Sequence, residues 1–358
     1  MSRLRFLLVI FFVLVTFQVN SSENEYKKSN RKQEKTFSII VFPDTQIYSK
    51  DRPSWRRSSK KEVFMHMTQW VAARAKTDNI KFVLNMGDVV NDNDELYQWE
   101  NANEAMSVLD GIVPYVMVIG NHDMFMGSEE SPLDSIRNTT NFNHTFPYSR
   151  YQNEKWYGGR MPEDRFFPHD SYNNSYHFFS QGKLEFMIVS LEAGPTDRML
   201  AWADSLISSY PKKRVIVATH SYMQGNDQRD KPGGFGYLPP NSNTGEEVWD
   251  KLIKKHKNIF LVLSGHIGNS DRHKGLLVSK GINGNTVYQQ LNGEAYDGWL
   301  RILRFVPSED KIYVESYSPW QPATPEAQLK EYEFSLPGFN RDSVHQYEMN
   351  YRMCGENK

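Results

Sequence analysis

The chain has 358 residues, 39% hydrophobic and 24% charged, with 42 basic against 43 acidic side chains. The near-balanced charge gives no reason to expect a long nucleic acid as partner, and an aromatic content of 13% argues against disorder. A single cysteine, Cys354, excludes an intrachain disulfide framework and any multi-cysteine zinc or iron–sulfur centre, so a bound metal must be held by His, Asp, Glu, Asn or Gln.

Arg3 and Arg5 precede an apolar run from Phe6 to Val15, and the chain turns polar at Asn20-Ser21-Ser22. This pattern reads as a secretory signal peptide over residues 1–22, with an uncleaved signal-anchor helix as the alternative. The run is shorter than the roughly 18 apolar residues of a membrane span. A secreted or extracytoplasmic protein without a stable membrane span is therefore expected. Residues 23–35 are charged and aperiodic, as in a flexible lead-in. One domain is expected over residues 36–340, followed by a tail over 341–358.

Five apolar runs read as strands buried on both faces: Phe37–Phe42, Ile80–Met86, Tyr115–Ile119, Arg214–Thr219 and Ile259–Ser264. Helical spacing connects them over residues 60–76, 94–109, 197–209 and 246–257. Asp197 is placed to cap the third helix, and Thr244 with Glu247 to form a capping box on the fourth. Leu300–Val306 and Lys311–Ser316 resemble a strand pair. Alternating strands and helices predict an α/β layered fold. Sequons begin at Asn138, Asn143 and Asn173, suggesting a glycosylated surface loop.

The residues just after each strand carry the chemistry. The first strand runs into Asp44-Thr45-Gln46, the second into Gly87-Asp88, the third into Gly120-Asn121-His122-Asp123, the fourth into His220 and the fifth into Gly265-His266. Ligand sites in α/β sheets gather at carboxyl ends of strands. Any one of these residues alone is more often a turn residue; five in one structural position point to a metal site. Two cations about 3.5–4 Å apart could hold a phosphoryl oxygen and an attacking hydroxide. Asp88 is the natural bridge. Asn121, His220 and His266 would complete one cation, and Asp44 and Gln46 would serve the other. His122 is placed to stabilise the phosphorus or protonate the leaving oxygen. Asp123 would orient its imidazole or cap the next segment.

These blocks, in this order, resemble the calcineurin-like metallophosphoesterase superfamily. The matches are GDVVN at 87–91, GNHD at 120–123, His220 and GH at 265–266, within residues 37–320. The resemblance implies an αββα sandwich with two facing mixed β-sheets. It further implies a phosphomonoesterase or phosphodiesterase acting on small-molecule phosphate esters through a metal-bridged hydroxide. Asp44, Asp88, Asn121, His220 and His266 match metal ligands, and His122 the catalytic histidine. Asn91 replaces the tyrosine that purple acid phosphatases carry at the end of their second block. Two further departures concern one cation: Gln46 and Gly268 stand where the family carries histidines. Asp44, Asp88 and the Gln46 carbonyl would leave an oxygen-only set, favouring Mg, Mn, Ca or Fe over Zn there. Asn269 or His273 could compensate. A secreted binding protein that keeps the fold without turnover is the alternative.

Two long segments, Met124–Tyr176 and Tyr222–Asn243, leave the proposed site directly and are expected to be loops shaping the cleft. Their aromatic side chains could equally pack the loops down. His169 and His177 carry no motif and read as surface or strand residues.

Overall fold

The computed structural model describes residues 34–50, 60–124, 137–162, 171–234, 238–267, 274–293, 298–320 and 346–353. The chain divides into Met1–Lys35 and Thr36–Lys358, and all elements below belong to the second unit. The signal peptide, nearly all of the lead-in, His169, Gly268, Asn269, His273 and Cys354 lie outside the described residues.

The elements run β1 (Phe37–Phe42), α1 (Gln46–Ser49), α2 (Lys60–Arg74), β2 (Ile80–Asn85), α3 (Leu96–Ser107), β3 (Tyr115–Met117), α4 (Thr140–Thr145), β4 (Tyr157–Arg160), β5 (Ser175–Gln181) and β6 (Leu184–Leu191). They continue with α5 (Asp197–Ser209), β7 (Arg214–Thr219), α6 (Gly245–Lys251), β8 (Ile259–Ser264), β9 (Lys274–Lys280), β10 (Thr286–Asn292), β11 (Leu300–Val306), β12 (Lys311–Tyr317) and β13 (Gln346–Asn350). One sheet has the order β13-β12-β11-β1-β2-β3 and the other β4-β5-β6-β7-β8-β10-β9. Both are mixed. β1, β2 and β3 pair in parallel and β11 joins β1 antiparallel. β6, β7, β8 and β10 run parallel between antiparallel flanks.

The apolar runs explain the stacking. β1, β7 and β8 are buried at every position, so each needs a layer on both sides. Phe37 and Phe305 of the first sheet meet Phe186 of the second at 5.6 and 5.7 Å between ring centres. On the outer face of the first sheet, Phe64 of α2 packs edge-on to Phe42. On the outer face of the second, Leu200, Ala203 and Ile207 of α5 and Val248 of α6 pack with Val215 and Val217 of β7. The result is the expected αββα sandwich.

Local signals hold with small shifts. The Thr244–Glu247 box forms, with Thr244 N–H donating to Glu247 Oε2 at 2.9 Å, although α6 ends at Lys251 and gives way to a tight turn at Ile253–Lys255. Thr196 rather than Asp197 caps α5; Asp197 sits in the first turn, where a negative charge suits the helix dipole.

Three expectations need correction. The tail from residue 341 contains β13, which pairs with β12, and beyond it Tyr351 stacks on Phe260 at 4.0 Å. Its sequence QYEMN has no apolar run because only Met349 of this edge strand is fully buried. The sequon loop is only partly a surface. Asn138 is exposed, but Asn143 and Asn173 are 8% and 2% exposed, and their amides bond inward, to Thr139 and Glu192. Nor is Met124–Tyr176 without structure. It contributes α4 and β4, and Phe142, Phe146, Tyr151 and Tyr172 join the core. In the second segment Tyr222 is buried, with its hydroxyl donating to Gln289 on β10 at 2.6 Å, on the outer face of the second sheet. No helix among the described residues is long and apolar enough to cross a membrane.

Candidate metal centre

Five strand ends, three from one sheet and two from the other, deliver side chains to one place. His220 leaves β7 fully buried. Its Nδ1–H donates to the Met86 carbonyl at 2.7 Å, which turns Nε2 toward the cleft. Around that nitrogen stand Asp88 Oδ1 at 3.2 Å, Asn121 Oδ1 at 3.2 Å and His266 Nδ1 at 3.1 Å. Four donors about 2.0–2.2 Å from one tetrahedral ion lie roughly 3.4 Å apart. The three separations from His220 Nε2 are close to that spacing, and the Asp88, His220 and His266 donor atoms all lie within 4.8 Å of one another.

The charges point the same way. Burial pushes the His220 imidazole down, but the Asp88 and Asp44 carboxylates overcome it and hold it up at about 9. Burial also pushes Asp88 up, and is outweighed by His220, with His122 and His266 adding to the pull, which keeps it at about 2. Burial and the His220 charge push His266 down to about 3, leaving the neutral ring a ligand needs. The buried carboxylates thus favour positive charge at this site.

Asp44 lies on the far side of His220, 3.9 Å from its Nδ1. Its carboxylate accepts the His266 backbone N–H at 3.0 Å. Burial, with the charges of Asp88 and Asp123, pushes it up to about 7. Gln46 opens α1, and its Oε1 is buried with no hydrogen-bond partner. An orphaned buried carbonyl oxygen two residues along the chain from a buried carboxylate suits a hard cation.

The GNHD block divides its work. His122 donates its backbone N–H to Asp88 Oδ1 at 3.0 Å. Its ring Nδ1 meets the Asn91 carbonyl at 2.7 Å, which assigns the proton to Nδ1 and leaves Nε2 free. The His122 ring is thus oriented by Asn91. Asp123 does something else: Oδ1 accepts Val89 and Val90 N–H at 2.7 and 3.0 Å, and Oδ2 accepts Gly120 N–H at 2.8 Å. It clamps the GDVV loop onto the GNHD loop, and burial with the Asp88 charge pushes it up to about 7. Gly120 is where these loops touch; a methyl group there would stand 2.1 Å from Asp88 N and Oδ1.

Two supporting residues carry no clear signal in the sequence. Asn85, at the end of β2, binds Thr45 Oγ1 and Gly87 N–H, at 3.0 Å each. Glu192, after β6, is fully buried and paired with Arg137 at 2.7 Å, while Asn173 and Asn174 donate to its other oxygen. The one available hint is a carboxylate just after an apolar run, as at Asp44 and Asp88. His177 is a strand residue, but it is fully buried rather than on the surface.

Two facing mixed sheets with metal-binding side chains at their strand ends define a metallophosphoesterase-type architecture. Residues 37–270 match the family model described as calcineurin-like phosphoesterase, and the chain belongs to that family. An uncharacterized protein of Bacillus subtilis (strain 168), YvnB, is 27% identical over 292 residues, which cover 79% of this chain and 20% of that protein. A purple acid phosphatase from yellow lupin (Lupinus luteus) seeds shares the fold with a TM-score of 0.50 at 13% identity, over 90% of this chain and 55% of that one. A 5'-nucleotidase from Candida albicans SC5314 aligns with a TM-score of 0.47 and 12% identity, over 84% of this chain and 55% of that one. The chain thus spans a fifth of the length of its curated relative and about half of these two structures.

Proposed function

We propose that this protein hydrolyses phosphate esters of small molecules, monoesters or diesters, using two divalent cations held at the strand ends. The observation that carries the reading is the meeting of Asp88, Asn121 and His266 donors around His220 Nε2, each at 3.1–3.2 Å. Bound cations would supply Lewis-acid stabilisation of the phosphoryl oxygens and lower the pKa of the attacking water. The protein's own groups do the rest. Asp88, Asn121, His220 and His266 would hold one cation, and Asp44, Gln46 and Asp88 the other. Mn, Fe or Zn suits the nitrogen-containing set, and Mg, Mn, Ca or Fe the oxygen-only one. His122, fixed by Asn91 through Nδ1–H, would face the leaving-group oxygen with Nε2, and in its doubly protonated form the ring can give the Nε2 proton to that oxygen as the ester bond breaks. The product alcohol then leaves neutral.

The signal peptide over residues 1–22 adds that the protein acts outside the cytoplasm. Of the three sequons, Asn138 has the exposure that a glycan needs. A near-neutral chain suits a small substrate better than a long nucleic acid.

The test is hydrolysis of aryl phosphate mono- and diesters by the chelator-stripped protein with added Mn, Zn, Mg or Ca, beside His122→Ala and Asp88→Ala. Turnover well above both variants with at least one metal is expected. A wild type that never exceeds them overturns the enzyme reading and leaves a binding protein.

A further inference from the structure

The oxygen-only cation position proposed above has three protein ligands, Asp44, Gln46 and Asp88, because Gly268 stands where the family carries a further histidine. A candidate stands on β10, beyond the end of the family match at residue 270. Asn292 ends that strand and is 2% exposed. Its Nδ2 donates to the Ser264 and Gln290 carbonyls, both at 3.4 Å. Two carbonyl neighbours identify that end of the amide as the nitrogen, which leaves Oδ1 at the other end. Oδ1 is buried and has no hydrogen-bond partner. A buried acceptor left without a donor or a cation is costly, so the position calls for something to fill it.

Its position comes from the register. β10 and β8 are parallel, with Leu291 opposite Ser264, so Asn292 lies beside Gly265 about 4.8 Å away. Alternation places Asn292 on the same face as Gln290 and Tyr288. Those side chains point between the sheets, to Met349 Sδ and the Asn350 carbonyl. Gly265 faces the same gap: a methyl group there would stand 2.2 Å from Asp44 Oδ1. Asn292 is therefore one strand spacing from the spot that abuts Asp44, on the inner face, at the carboxyl end of its strand.

We infer that Asn292 Oδ1 completes the oxygen-only cation position with Asp44, Gln46 and Asp88, in place of the histidine that Gly268 removes. This rests on the two-cation reading above and names a ligand for it. The position then has four oxygens and no nitrogen, the donor set of Mn, Mg or Ca rather than of Zn.

The test is binding of Mn2+ to the chelator-stripped full chain, counted by calorimetry and by the electron paramagnetic resonance of free Mn2+. The wild type should take up two equivalents, one tight and one weaker. Asn292→Ala should weaken the second by about tenfold or more and leave the first unchanged. Asn292→Asp, with the same shape and an added charge, should strengthen the second. Its result decides the matter even if Asn292→Ala does not fold. Two equivalents in the wild type with both variants unchanged overturns the Asn292 assignment alone. A single equivalent in the wild type overturns the two-cation reading along with it.

Discussion

His220 Nε2 and Asp88 Oδ1 stand 3.2 Å apart, both at most 2% exposed, although they leave strands of different sheets. Their contact closes the gap between the sheets at one end. It also makes the charge of each depend on the other: His220 is held up at about 9 and Asp88 down at about 2. Anything that removes one partner leaves the other as an unpaired buried charge. Neighbouring residues act on the centre through that coupled pair.

Gly120→Ala should damage the centre without replacing a ligand, by crowding Asp88. The new methyl would fall 2.1 Å from Asp88 N and Oδ1, and the backbone part of that clash cannot be relieved by a side-chain rotation. We expect a loss of about 1–3 kcal/mol of stability and reduced metal content, measured by urea unfolding and by metal analysis. A variant with unchanged metal content and midpoint would count against this packing.

Asp123→Asn separates a clamp from a catalytic group. The carboxylate accepts three backbone N–H groups. An amide offers one acceptor atom and sets its NH2 against at least one of those donors. A loss of about 2–4 kcal/mol is expected, with the pH dependence of any remaining turnover keeping its shape. A pH profile that loses one limb while stability holds would instead make Asp123 a proton carrier.

His122→Gln should leave the metal in place and slow turnover. The His122 ring contacts Asn91, and only its backbone touches Asp88. A fall of about 10²–10⁴ in kcat with normal metal stoichiometry is expected, steeper for esters with poor leaving groups. Equal losses for good and poor leaving groups would contradict proton delivery.

His177 makes the fold acid-sensitive at a distance from the metal centre. Burial pushes its imidazole down to about 3, against about 6.5 in an unfolded chain. Between these values the unfolded chain binds a proton that the native state does not. Stability is therefore complete above about pH 6.5 and falls as the pH drops toward 3, by about 1.4 kcal/mol per unit. At pH 5 the loss relative to neutral pH should be about 2 kcal/mol. Denaturant midpoints of His177→Gln should vary less over this range; parallel curves for the two proteins would refute the assignment.

Much of the fold and of the centre is legible in the chain. Fully buried parallel strands show as apolar runs on both parities, which is why β1, β2, β7 and β8 stand out, and the residue after each is where a ligand must be. Antiparallel and edge strands are harder to see. β4 and β13 fully bury few of their side chains, so their sequences read as loop and tail. Asp123 illustrates a related limit: proximity in sequence to His122 suggests contact, but a turn aims adjacent side chains in different directions.

The sequence by itself determined the set of chemical groups and their family. A carboxylate, an amide or an imidazole placed after a strand is local information, carried by a few residues. Only the tertiary structure decided which of those groups meet. Asp88 and His220 are 132 positions apart, and their distance depends on how two sheets stack through side chains such as Phe37, Phe186 and Phe305. Which buried oxygens remain without partners, at Gln46 and Asn292, likewise emerges only when every neighbouring donor has been placed.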